Sequence, residues 1–402
     1  MSKSRLPVIA LLALVASLAT GCELWPHEAG YPYTSVDPIS DFGHATQTLY
    51  ATITYIVLVI FVLVSLLLAY TLVVFRDDGK PGNPEQIHGN TQLEIGWTLL
   101  PILIVLTMII PTIRTIFEIA DAPPVGGVDP ATGEVLLDAD GKPVKPTVEV
   151  RVIGKRWWWA FEYVNEQITT GNHLVIPDDR PVSLLITSDT VIHSFWAPRI
   201  GGKRDAVPGR VNRLWFQLDL DVPKGEPEHI RGQCAEYCGE AHSLMRFEVL
   251  ALDGADYEQW VAEYQAGPTF ADASVKSKGE EAFGAGGCTA CHAVTGNPAA
   301  VGAIGPNLSF FGDRRYLGAG IEDMYGGADT EAVLTAWIRH PDAIKPGTAL
   351  LGTGGTRFDG MVIPLAKGDG ELSEEDLPKE TVDAIVAYLL AQKSSFPTPG
   401  IE

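Results

Sequence analysis

The chain has 402 residues, enough for two or three domains. Its formal net charge of −21 argues against a nucleic-acid partner, which would be repelled. The same acidity either steers a basic protein partner through its long-range field or serves solubility alone.

At the N-terminus, Lys3 and Arg5 precede an apolar stretch over 6–18 that is short for a bilayer. That is the form of a signal peptide, expected over 1–22. It ends in Leu18-Ala19-Thr20-Gly21-Cys22, and small residues before a cysteine are similar to a bacterial lipoprotein cleavage site. Residues 23–120 then hold two apolar runs, about 49–75 and 95–117, each long enough to cross a core of about 30 Å. Pro101 and Pro111 lie in the second, where neighbouring helices can re-satisfy the freed backbone groups. Two spans return the chain to its starting side. All that follows is therefore expected on the outer face. The loop between the spans carries Arg76 and Lys80 against Asp77, Asp78 and Glu85, so its charge gives little orientation.

Residues 121–146 are rich in Pro, Gly and Asp and read as turns around a short excursion. From Thr147 the period becomes two: Val148, Val150 and Val152 alternate with Glu149 and Arg151. Further strands are expected over 157–159, whose tryptophans would face opposite sides in alternation, and over 173–176, 182–186, 212–218 and 246–251, with a closing helix over 256–265. Many short strands at this spacing predict an all-β Greek-key sandwich or barrel over 121–266. A linker over 266–277 leads to helical periodicity at 277–283, 330–339 and 382–392, the last stopped near Pro397. The unit over 267–402 is thus expected to be all-α.

All five cysteines fall in chemically suggestive places. Cys22 stands at the leader's end. Cys234 and Cys238 belong to Cys234-Ala235-Glu236-Tyr237-Cys238-Gly239-Glu240-Ala241-His242-Ser243-Leu244-Met245, a C-x-E-x-C-G-x-x-H-x-x-M pattern. Thiolates, imidazole and thioether form a soft ligand set suited to copper. With His193 upstream, the set can hold two coppers if both sulfurs bridge. A disulfide or a structural zinc is the plainer alternative, although the spacing matches no usual zinc pattern. Cys288 and Cys291 form C-x-x-C-H with His292, the c-type haem attachment pattern, which can also arise as a redox dithiol.

Together these motifs resemble subunit II of the haem-copper cytochrome c oxidases over about 46–252. The likeness is carried by Leu93-Glu94-Ile95-Gly96-Trp97-Thr98, Arg156-Trp157-Trp158-Trp159, Lys203-Arg204-Asp205-Ala206-Val207-Pro208-Gly209-Arg210 and the copper loop. It implies a two-helix transmembrane hairpin and a cupredoxin barrel with a dinuclear CuA centre on His193, Cys234, Cys238, His242 and Met245. In that family the backbone carbonyl at Glu236 also ligates copper, and its carboxylate reaches a magnesium shared with subunit I. Trp157 matches the exposed tryptophan where electrons enter, and Glu94 the glutamate at the mouth of a proton path. Asp205 and Arg210 match the segment facing subunit I.

The segment from 277, with Gly305-Pro306-Asn307-Leu308, resembles a class I cytochrome c, in which Cys288, Cys291 and His292 would hold haem c. The family's distal methionine follows a Lys-Pro-Gly segment closely. Here Lys345-Pro346-Gly347-Thr348-Ala349-Leu350 has leucine in that place, so Met361 becomes the expected ligand, with Met324 and then His340 behind it. The expected protein is a caa-type electron-transfer subunit in the bacterial cell membrane, its copper and haem domains on the periplasmic side. Its expected partners are subunit I, subunit III, membrane lipid and an electron-donor cytochrome or upstream complex. A copper subunit feeding a nitric oxide reductase and a free-standing tethered carrier are the alternatives.

Overall fold

The computed structural model describes residues 33–76, 88–120, 134–137, 143–320, 322–323, 329–346 and 377–395, with positions 82, 86, 127, 132 and 141. The expected leader, Cys22, Met324 and Met361 lie outside the described residues.

Helix α1 (Asp41–Val74) begins well before the apolar run expected from 49. Hydropathy does not set that start; anchoring does. The Ser40 hydroxyl caps the helix by accepting from the Gly43 N–H (3.0 Å) and donates to the Ile200 carbonyl at 2.5 Å. Ile39 and Phe42 are buried in the domain that follows. Helix α2 (Thr91–Ala120) contains both prolines. Its penultimate carbonyl, Ile119 O, would lack an intrahelical partner and instead accepts from the Trp215 indole at 3.1 Å. Both helices are long and apolar enough to cross a membrane, with mean hydropathies of 3.0 and 2.2.

The middle of the chain is a sandwich of two five-stranded sheets. The first has β1 (Val148–Lys155), β2 (Trp158–Tyr163), β3 (Ile168–Gly171), β5 (Val182–Ser188) and β8 (Asn212–Phe216), in the order β3-β2-β1-β5-β8. The second has β4 (His173–Pro177), β6 (His193–Trp196), β7 (Arg204–Ala206), β9 (Glu228–Cys234) and β10 (Arg246–Leu252), in the order β4-β10-β9-β6-β7. Each sheet has one parallel pairing, β1 with β5 and β4 with β10. The strands absent from the sequence reading (β3, β6, β7 and β9) are short or lack a long alternating run. Between the sheets, Phe195 and Phe247 stack at 4.5 Å, and Trp159 meets them edge-on at 5.8 and 5.7 Å. Helix α3 (Gly254–Ala266) closes the domain, packing Tyr257, Trp260 and Tyr264 on it.

The expected linker is shorter than 266–277, because Asp272 caps helix α4 (Ala273–Ala285) by accepting from the Ser274 N–H at 2.7 Å. Helices α5 (Thr330–Arg339), α6 (Pro341–Ile344) and α7 (Lys379–Leu390) follow. This unit is not purely helical: β11 (Tyr316–Leu317) and β12 (Glu322–Asp323) form a small antiparallel ribbon. Its core joins α4 to α7 through Phe283 and Tyr388 (5.9 Å), with Leu334, Val382 and Ile385. The unit is docked on the sandwich. Tyr264 meets Phe310 at 5.1 Å, the Arg231 guanidinium lies 3.5 Å from the Tyr316 ring centre, and Arg246 N–H donates to Ala319 O at 3.0 Å.

The aromatic stack lies next to Cys234 and His193, so its loss leaves a void where the two sheets meet. Phe195→Ala should cost about 3–5 kcal/mol, measured by denaturant unfolding of the 147–266 domain. A loss under about 1 kcal/mol would show that the stack is peripheral to stability.

Candidate functional site

The loop joining β9 to β10 carries Cys234, Glu236, Cys238, His242 and Met245, and the β6–β9 pairing brings His193 to it. Phe195 pairs with Cys234 across those strands, so His193, two residues earlier, projects from the same face of β6 at the loop's edge. The loop is pinned from several sides. Ala235 N–H donates to Ser194 O and Cys234 N–H to Met245 O, each at 2.9 Å. A single 3-10 turn (His242–Leu244) then folds Met245 back under the cysteines.

The two sulfurs lie 3.8 Å apart. That is far beyond a disulfide of about 2.05 Å, and both cysteines are free and buried. A metal–thiolate bond is about 2.3 Å, longer than half the sulfur separation, so an ion on either side can touch both sulfurs. The other donors divide between them. Cys234 Sγ lies 3.8 Å from His193 Nδ1 and 3.2 Å from the Glu236 carbonyl oxygen. Cys238 Sγ lies 3.6 Å from His242 Nδ1 and 3.8 Å from Met245 Sδ. Each sulfur thus has one imidazole and one weaker donor beside it. His193 and Met245 are fully buried, while His242 is half-buried and Glu236 and Tyr237 are exposed.

The electrostatics already favour a thiolate. Cys234 is pulled down to about 3, chiefly by the hydrogen bond it shares with Cys238 and then by His193, with burial opposing. Cys238 is pushed up by the same shared proton and by burial. A pair of cations between the sulfurs would replace that proton. His193 also has a seat made for it. A Cβ on Gly154, in β1, would stand 2.7 Å from Cδ2 and 3.0 Å from Cγ of its ring.

Trp157 differs from expectation. It lies in the turn between β1 and β2, half-buried rather than exposed, and its indole N–H donates to the Cys238 carbonyl at 3.0 Å. Only Trp158 and Trp159 lie on the strand. Trp159 is fully buried and meets the His193 ring edge-on at 5.8 Å, while Trp158 is half-buried. Glu94 sits in the first turn of α2, where its carboxylate accepts from the Asn90 N–H at 3.3 Å. Asp205 and Arg210 are both exposed, Asp205 pairing across β6–β7 with Ser194 beside His193.

In the C-terminal unit, Cys288 and Cys291 are free on a 3-10 turn directly before His292. The His292 Nδ1–H donates to the Pro306 carbonyl at 2.7 Å, which leaves Nε2 as the nitrogen able to bind a metal. Burial holds its pKa below the ordinary imidazole value, favouring the neutral, ligating form. Here too a glycine makes room: a Cβ on Gly305 would stand 2.6 Å from His292 Cε1. These features fit a covalently held haem. His340 caps the end of α5, half-buried.

Sequence reasoning missed Gly154 and Gly305 as ring seats and Lys345 as a contact of the Trp157 turn. A lone glycine carries no local signal of what crosses the chain above it.

Two family models match the chain. The transmembrane domain of cytochrome c oxidase subunit II matches residues 37–115, and its periplasmic domain residues 165–252. "Cytochrome c oxidase subunit 2" of Alkalihalophilus pseudofirmus is 32% identical over 365 residues, 90% of this chain and 91% of that protein. "Quinol oxidase subunit 2" of Bacillus cereus is 34% identical over 214 residues, 51% of this chain and 66% of that one. The crystal structure of the periplasmic domain of subunit II (CoxB) of Bradyrhizobium japonicum matches 29% of this chain and 92% of its own, at 26% identity and a TM-score of 0.27.

The seat of His193 gives a direct check. Gly154→Ala should tilt the ring from Cys234 and lower copper retention by on the order of tenfold, read by metal analysis after dialysis. Retention equal to the parent would show that the ring does not depend on that gap.

Proposed function

The chain belongs to the cytochrome c oxidase subunit II family, and we propose that it receives electrons through a fused c-type haem and passes them through a dinuclear copper centre to subunit I. The observation that carries this is the division of donors around two unbonded sulfurs 3.8 Å apart. His193 with the Glu236 carbonyl serves one half, and His242 with Met245 the other. A bridged copper pair shares the transferred electron over two ions, so each transfer requires little bond rearrangement. Zinc would not explain four different donor types sorted in this way.

Cys288 and Cys291 would hold haem c by thioether bonds, with His292 as its proximal ligand, supported by the Pro306 hydrogen bond and the Gly305 gap. A distal methionine would favour electron transfer by raising the potential, and Met361 is the proposed residue. Trp157, bonded to the Cys238 carbonyl, is the proposed point where electrons reach the copper pair. The exposed Glu236–Tyr237 side of the loop is then free to face subunit I, with the Glu236 carboxylate available to a shared magnesium. The two candidate spans support a chain anchored in the bacterial cell membrane, with the copper domain proposed on the outer face. Subunit III and a donor cytochrome or upstream complex complete the proposed assembly. The Alkalihalophilus protein matches through 90% of the chain and the quinol oxidase subunit through only 51%, which favours the reading with a working C-terminal unit.

Metal analysis of the purified complex should find a pair of coppers on this subunit with a mixed-valence paramagnetic signal. A single copper, or zinc, would overturn the reading. Trp157→Leu should leave both optical spectra intact and slow haem-to-copper transfer after flash reduction by on the order of tenfold or more.

Glu94 is proposed as the mouth of a proton path into subunit I. Glu94→Gln should lower oxygen turnover without altering either spectrum. Parent-like turnover and proton uptake across pH would reduce it to an interfacial charge.

A further inference from the structure

Lys345 lies at the end of α6 in the C-terminal unit, yet its ammonium is buried against the copper domain, 4% exposed. It donates to the Trp157 carbonyl at 2.5 Å and to the Gly318 carbonyl at 3.1 Å. No carboxylate pairs with it among the described residues. Burying an ammonium is costly, and here burial pulls its pKa down, with the charge of the nearby Cys238 sulfur opposing. The compensation is a charge-assisted bond to one particular turn of the other domain.

That turn is the one carrying Trp157. The indole is held at its far end as well, by its bond to the Cys238 carbonyl. Its six-membered ring also closes under Gly239, where a Cβ would stand 3.0 Å from Trp157 Cζ2. Trp157 is therefore pinned twice, at its backbone by Lys345 and at its ring by the copper loop. The Gly318 contact ties the same ammonium to the turn just after β11, so one side chain joins that turn and the end of α6 to the Trp157 turn.

We propose that Lys345 is a positioning residue for electron transfer, clamping the Trp157 turn so that the indole stays on the Cys238 carbonyl. This role rests on Trp157 being the point where electrons reach the copper pair. The step it serves would move one electron, from a ferrous haem held by Cys288, Cys291 and His292, which would become ferric, to the copper pair held by the Cys234–Met245 loop and His193, which would be reduced by one. Lys345 gains and loses nothing.

The test is a double-mutant cycle on the complete, purified complex, with copper and haem content measured first. Lys345→Met should retain both groups and slow flash-induced transfer on the order of tenfold, within the coupling range of contacting residues. Trp157→Leu with Lys345→Met should be no slower than Trp157→Leu alone, since the lysine acts through the indole. Additive losses would overturn the role. In copper-depleted complex, Lys345→Met should also raise hydrogen exchange in the peptides spanning Trp157 and Cys238. Unchanged exchange would overturn the clamp independently of activity. Lys345→Gln keeps an N–H donor without the buried charge and should retain more of the rate than Lys345→Met; equal loss would overturn a role in donation. A slowed Trp157→Leu with a parent-like Lys345→Met would sink the lysine's role alone. A parent-like Trp157→Leu would sink the route and this role together.

Discussion

Two sulfurs must be held close without bonding to each other, and much of the copper domain's local architecture serves that requirement. At 3.8 Å they are close enough to share a metal and too far apart to oxidise to a disulfide without the loop moving. The β6–β9 register fixes one end, because Cys234 is the last residue of its strand and pairs with Phe195. The 3-10 turn fixes the other, returning Met245 so that its carbonyl accepts from the Cys234 N–H. Beneath them lies the stacked aromatic layer of Trp159, Phe195 and Phe247, close-packed and so resistant to small displacements.

The same logic extends to the membrane hairpin. A pair of apolar helices carries no information about how a soluble domain should sit above it. Here both helices are bonded into the sandwich: α1 through Ser40 and the buried Phe42, α2 through Ile119 and Trp215. The copper loop thereby has a defined orientation relative to the spans. A flexible tether would have left that orientation to chance.

How much of this could be read from the chain depends on range. The proposed copper ligands at the end of β9 and beyond, and the Cys288–Cys291–His292 pattern, are local, visible because their residue types are rare and their spacing tight. The apolar spans are visible for another local reason, the length of an almost uncharged apolar run. The start of α1 at Asp41 was not, because tertiary bonds to Ile200 and Leu218 set it, not the hydropathy of its own first turns. The short strands β6 and β7 were missed since three or four residues carry too little periodicity. Trp157 was expected on a strand, facing outward. The β1–β2 turn takes it instead, half-buried, with its indole against Cys238 and Gly239 and its carbonyl accepting from Lys345 of the C-terminal unit. Gly154 and Gly305 were silent because their meaning lies in an imidazole from elsewhere in the chain.

The covering of Trp157 has a physical consequence for how electrons would arrive. A free carrier must find an exposed site by diffusion, and charge steering then sets the encounter rate. A fused donor is always present at the high effective concentration of an intramolecular partner. It can therefore bury the contact, exclude water from it and hold one geometry. The Lys345 bond to Trp157 and the Arg231 contact with Tyr316 are fixed interactions of this kind, less screened by salt than exposed ion pairs. In the proposed route, the acidic charge of −21 then has no part in bringing haem to copper. Steering, if the charge supplies it, applies one step earlier, where an external donor meets the C-terminal unit. Ionic strength should accordingly act on that first encounter and leave the internal transfer unaltered.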